Sequence, residues 1–182
     1  MSVQEKFGGE LSDEEFRKFT LYTNQSNNKL DDETRAKILG FSNDNVRVAP
    51  GAIIRIGENQ IGHRSYVGLY SYINGDVTIG EDVAIGPHVS VVASNHIFSP
   101  ATQSFSGRSC LIQGKVTIEN GVWLTTGVVI TPGVTVGRGS LVCANSVVVQ
   151  NVGPFSIVAG APAKVVGRID AESGEYHWYN KE

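Results

Sequence analysis

Long apolar runs, a basic excess and cysteine pairs are all missing from this chain. No stretch approaches the roughly 18 consecutive apolar residues of a membrane-spanning helix, so none is predicted. Lysine and arginine number 15 against 18 acidic residues, for a net charge of −3 and a pI near 5.8. That balance lacks the basic footprint of a nucleic-acid or anionic-membrane binder, and leaves small molecules and protein as the expected partners. Only two cysteines occur, Cys110 and Cys143, and they form no CxxC pair. A disulfide, a thiolate metal site and a thiol nucleophile are all disfavoured by that spacing. The first residues, MSVQEKFGGE, lack the charged-then-apolar plan of a secretory signal, so a cytoplasmic location is expected.

Glycine, by contrast, is abundant, with 21 residues in 182 beside much valine and isoleucine. That mixture predicts many tight turns between short strands. A step of six residues organises it. From Ile61 the step meets Val67, Ile73, Ile79, Ile85 and Val91; it resumes at Ile112 and meets Ile118, Leu124, Ile130, Val136, Val142 and Val148. Two residues before most of these stands a second small or β-branched residue: Ser65, Ser71, Val77, Val83, Val89, then Val116, Val122, Val128, Val134, Ser140 and Ser146. The unit is a three-residue strand facing in, out, in, such as Val77-Thr78-Ile79, followed by a turn such as Gly80-Glu81-Asp82. Strands this short bury nothing alone, so successive coils must stack in parallel around one continuous core.

Outside the repeat, residues 1–45 read as an N-terminal helical cap. Ser12 and Glu15 form a capping box before Phe16 and Phe19, and Asp31 is the expected cap of a second helix ending at Gly40. Such helices would plug an open prism end. The repeat region is expected over 46–168, with a polar C-terminal tail over 169–182.

The step from Val91 to Ile112 is 21 residues, not a multiple of six. Taking Asn95-His96-Ile97 and Cys110-Leu111-Ile112 as consecutive coil strands turns the usual short turn into an inserted loop over 98–109 that contains Arg108. Long corner loops in compact solenoids are more often functional than accidental. His96 then occupies an outward strand position just before the loop. The same bookkeeping puts Thr78, His96, Trp123 and Leu141 on one outer face, with Trp123 beside His96.

Four motifs in order carry a family resemblance: Ser94-Asn95-His96 followed by Pro100; Gly121-Val122-Trp123-Leu124; Thr131-Pro132-Gly133-Val134-Thr135-Val136-Gly137; and Ala159-Gly160-Ala161-Pro162-Ala163-Lys164. The chain resembles the hexapeptide-repeat acyltransferases of the galactoside, maltose and polysaccharide O-acetyltransferase type. The resemblance implies an all-β solenoid, a left-handed parallel β-helix of triangular section, assembled as a homotrimer with sites between prisms. It implies acetyl-CoA as cosubstrate, no metal, and a sugar or polysaccharide-precursor hydroxyl as acceptor, with His96 as catalytic base. The cosubstrate contacts it implies are Trp123, Thr126, Ala144, Val149, Gln150, Lys164 and Arg168. Val149-Gln150 departs from the Thr-Lys usual in relatives and removes one cation. On the acceptor side it implies Asn74, and Tyr72 projects outward where a sugar ring can stack.

Three rivals stand beside this reading: a xenobiotic O-acetyltransferase, a non-catalytic trimeric β-helix scaffold, and a zinc enzyme of the γ-type carbonic anhydrase kind. The last needs three histidines around the metal. His63, His88, His96 and His177 show no such spacing.

Overall fold

The computed structural model describes residues 12–26, 28–105 and 111–179. Two helices precede the strands. Helix α1 (Asp13–Gln25) begins with the expected capping box: Glu15 N donates to Ser12 Oγ at 3.3 Å, and Ser12 N donates to the Glu15 carboxylate at 2.9 Å. Helix α2 (Lys29–Ile38) is capped by Asn28 rather than by Asp31. Asn28 has the extended backbone of a cap, and its side-chain oxygen accepts from Asp31 N at 3.0 Å, while Asp31 accepts from Asn28 Nδ2 at 2.7 Å. Asp31 therefore stands inside the first turn as the partner of the cap.

The coils form three parallel sheets. The first face stacks β1 (Arg47–Val48), β3 (Tyr66–Val67), β6 (Ala84–Ile85), β11 (Trp123–Leu124), β14 (Leu141–Val142) and β16 (Ser156–Gly160). The second stacks β2 (Ile53–Arg55), β4 (Tyr72–Asn74), β7 (Ser90–Val92), β12 (Val129–Ile130) and β15 (Val147–Val148). The third holds β5 (Val77–Ile79), β10 (Val116–Ile118) and β13 (Thr135–Val136), extended by bridges at Ile61 and Val152. The expected parallel β-helix is present. After β16 the chain reverses into β17 (Ala163–Ile169) and β18 (Tyr176–Trp178), which add antiparallel strands to the first sheet.

Every aliphatic residue on the six-residue step is buried except Ile112, which is 53% exposed. The serines of the second column are buried too, and each has work for its hydroxyl. Ser65 Oγ donates to Gly80 O at 2.8 Å and accepts from Val83 N at 3.0 Å. Ser71 and Ser140 repeat this bridge to Gly86 O and Gly153 O, at 3.0 and 2.8 Å. A serine there satisfies backbone groups of the following coil that a valine would leave to the strands alone.

Helix α2 closes the open end of the prism. Ala36 and Phe41 join the core, and Arg35 Nε donates to Val48 O at 2.7 Å, capping a carbonyl on the first coil. Arg35 also pairs with the buried Asp32 and donates to Ser26 O at 2.8 Å. Burial pushes the Asp32 carboxyl above its usual value, and the Arg35 guanidinium opposes that shift without cancelling it.

Candidate functional site

The repeat loses phase because the chain leaves the prism. Gly114 N donates to Ala93 O at 2.9 Å, closing the root of an excursion at the corner between the second and third faces. Within it, β8 (Ser94–His96) and β9 (Leu111–Gln113) pair antiparallel, Ser94 opposite Gln113 and His96 opposite Leu111. The described part of the expected loop, 98–105, thus follows the first strand of a two-stranded arm formed by 94–96 and 111–113. Farther out, Ser99 bridges Ser104, and Phe98 meets Phe105 edge to face with centroids 5.4 Å apart. Arg108 and Cys110 lie outside the described residues.

The arm corrects the expected surroundings of His96. The strand before the excursion is paired with the strand after it, so neither counts as a coil strand. Thr78 instead neighbours Thr117, which neighbours Thr135, on the third face. Trp123 stands between Ala84 and Leu141 on the first face. The cross-strand neighbour of His96 is Leu111, and its same-face diagonal neighbour is Gln113, a residue that coil bookkeeping does not bring near it. Ile112 belongs to the arm, which is why it is exposed. The His96 ring is exposed and has no hydrogen-bond partner among the described residues.

Asn74 lies at the root of the arm. Its carbonyl accepts from Ala93 N at 3.0 Å, and it stacks in register between Arg55 and Val92. Tyr72, two residues earlier, shares its outward direction and is half-buried between Ile53 and Ser90.

The expected cosubstrate residues fall into smaller groups along the prism. Thr126 and Ala144 occupy consecutive turns between the first and second faces, where Asn145 N donates to Thr126 O at 2.9 Å. Val149 and Gln150 follow β15 at the corner that carries the arm, nearer the C-terminal end. Gln150 and Lys164 line one cleft of about 160 Å³ with Asn151 and Val165. Arg168 lies farther along β17, opposite Ser156 and His177. The chain by itself does not gather all seven, Trp123 included, into a single pocket. Cys143 is half-buried, and burial pushes its thiol above the ordinary value, which disfavours the thiolate.

The histidines occupy separate settings. His63 Nδ1 accepts from Asp44 N at 3.1 Å, His88 stacks on Tyr70, and His177 lies in β18.

No family model matches the chain. The galactoside O-acetyltransferase of Escherichia coli (strain K12) is 32% identical over 138 residues, which cover 74% of this chain and 66% of that protein. The match therefore spans just under two thirds of that relative's length. A hexapeptide-repeat-containing acetyltransferase of Vibrio cholerae O1 biovar eltor, solved with acetyl coenzyme A, superposes with a TM-score of 0.58 at 27% identity, covering 93% of this chain and 100% of the other. A maltose O-acetyltransferase from Clostridium difficile 630 superposes with a TM-score of 0.60 at 25% identity, covering 85% and 86% of the two chains. With a six-residue repeat closed into a parallel prism and interrupted by an arm that bears the exposed His96, the chain is similar in sequence and in fold to these hexapeptide-repeat transferases.

Proposed function

We propose that the protein transfers the acetyl group of acetyl-CoA to a hydroxyl of a sugar or polysaccharide precursor, with His96 as general base. The carrying observation is the exposed His96, without a side-chain partner among the described residues, on an arm rooted beside Asn74. A sugar hydroxyl is far too weak an acid to attack a thioester unaided at neutral pH. His96 takes the hydroxyl proton as the acceptor oxygen bonds to the thioester carbonyl carbon. The resulting oxyanion needs a hydrogen-bond donor, and the Gln113 amide is suited by its place diagonal to His96. Collapse breaks the carbon–sulfur bond, and the departing thiolate takes the proton from the imidazolium. The products are the acetyl ester and CoA, with no covalent acyl-enzyme and no role for Cys143.

In this reading Asn74 and Tyr72 hold the acceptor. Trp123, Thr126, Ala144, Val149, Gln150, Lys164 and Arg168 contact the acetyl-CoA. The relatives named as galactoside and maltose acetyltransferases support a sugar acceptor. The working assembly is a homotrimer, in which a neighbouring prism supplies the contacts that one protomer leaves dispersed. The exposed Ile97 and Ile112 on the arm support such a neighbour.

A melting titration with acetyl-CoA is the test. At about 100 times its dissociation constant the ligand adds about 2.7 kcal/mol to stability. A rise in melting temperature, followed by CoA thiol release with one of a panel of sugars, is expected. No rise at millimolar acetyl-CoA sinks the proposal.

A further inference from the structure

The corner between the first and second faces carries a ladder of side chains that the proposed reaction does not use. The last position of each turn there is Gly51, Tyr70, His88, Gly127 or Asn145, with φ between 55° and 73°. Backbone hydrogen bonds tie these turns in sequence: Tyr70 N to Pro50 O at 3.3 Å, His88 N to Leu69 O at 2.8 Å, Gly127 N to Pro87 O at 3.0 Å, and Asn145 N to Thr126 O at 2.9 Å. They are five successive rungs, spaced by about 4.8 Å.

Side chains on this ladder lean back by one rung. Two ring carbons of Tyr70 lie 2.4 Å from the point a Cβ on Gly51 would take, so the phenol ring covers Gly51. Asn145 Oδ1 lies 2.4 Å from the equivalent point on Gly127. The His88 imidazole stacks on the Tyr70 ring, centroids 5.6 Å apart and planes 18° apart. The side chain that should lean over His88 belongs to residue 127, and glycine has none. No atom of His88 comes within 3.9 Å of the Cβ point on Gly127.

One rung is therefore open, walled by the outer face of the exposed His88 imidazole and by the Asn145 amide. The walls stand about two rungs, or ~10 Å, apart between mid-planes. One flat ring inserted midway continues the stack at near the spacing that Tyr70 and His88 already hold. We propose that this open rung binds the planar base of a nucleotide, sandwiched between His88 and Asn145. A base is flat on both faces and meets both walls at once, whereas a puckered pyranose presents axial groups to one of them. Thr126 and Ala144 share turns with Gly127 and Asn145, so the bound ring lies beside residues assigned to the cosubstrate. The proposal rests on the acetyl-transfer reading only for the source of the base, which is either the adenine of CoA or the base of a nucleotide-activated sugar acceptor.

Calorimetric titration of the full chain with CoA, ADP and UDP tests it, using the wild type, His88→Ala and Gly127→Asn. Asparagine tolerates this backbone, as Asn145 shows at φ 57°. It enters the rung and, because its Cβ would meet Asn145 Oδ1, pushes that amide aside, while His88→Ala removes the other wall. Both variants are expected to weaken one or more probes about tenfold, the scale of one lost base stack. Weakening of CoA and ADP assigns the rung to the cosubstrate, and weakening of UDP alone assigns it to the acceptor. Affinities within twofold of wild type in both folded variants, or no probe bound by the wild type at millimolar concentration, overturn it. Thiol release from acetyl-CoA is read separately on the same samples. Lost binding without any wild-type transfer keeps the rung and sinks the acetyl-transfer reading, and transfer with binding indifferent to both variants sinks the rung alone.

Discussion

The coils and the arm are built from the same kinds of residue, yet only the coils bury them. Ile118 in β10 is 0% exposed, whereas Ile112, six positions earlier on the same numerical step, is 53% exposed. Inside the prism each inward aliphatic side chain meets its equivalents in the coils above and below, and the stack closes on itself. Among the described residues the arm is a two-stranded sheet, and an isolated pair of that kind is marginal in water. The prism thus provides the stability, and the arm is free to present His96 away from the packed faces.

Paired substitutions can break that comparison. Ile118→Ala is expected to cost about 2–5 kcal/mol in urea unfolding, since it opens a cavity that neighbouring coils cannot collapse into. Arg35→Ala comes next, at about 2–3 kcal/mol, because it removes charged hydrogen bonds to Val48 O and Ser26 O and leaves Asp32 buried without its cation. Ile112→Ala in the arm is expected to cost at most about 1 kcal/mol. Equal losses at Ile112 and Ile118 would show that arm and coil are one packing unit.

The smallest effect concerns pH. Arg64 holds the exposed Asp82 carboxyl below its ordinary value through hydrogen bonds at 2.6 and 2.8 Å. A depressed carboxylate contributes stability that is present above its unfolded value, near 3.9, and lost as pH falls through the folded one. Asp82→Asn should therefore flatten the fall in melting temperature below about pH 4 and leave it unchanged in slope near pH 7. An unaltered acid limb in that variant would rule the pair out as a contributor.

The regular part of the fold was legible because its physics is local and repeated. Ile61 through Val91 and Ile118 through Val148 show their burial by spacing alone, and Ser12 with Glu15 shows its capping box. The arm was not legible for the same reason that the coils were. Strands in an antiparallel arm and strands in a coil share a period of two residues, so Asn95-His96-Ile97 satisfies either count. Only pairing partners distinguish them, and Ser94 opposite Gln113 is a non-local fact. The position of His96 before a long excursion is visible in the sequence, while its neighbours are not: Trp123 and Leu141 do share a face, but Thr78 and His96 lie elsewhere. Asn28 and Asp31 are both good caps by type, and the choice between them depends on which one takes the extended backbone. The ladder of Tyr70, His88, Gly127 and Asn145 is irregular in residue type, so its register appears only when the turns are stacked.

The most direct test of the account compares CoA thiol release from acetyl-CoA by the wild type and by His96→Ala, with a sugar acceptor and with acetyl-CoA affinity measured on both. A general base on an exposed arm predicts a rate loss of about 10²- to 10⁴-fold with cosubstrate affinity and melting temperature unchanged. A variant that turns over at the wild-type rate would contradict the assignment of His96 and with it the mechanism.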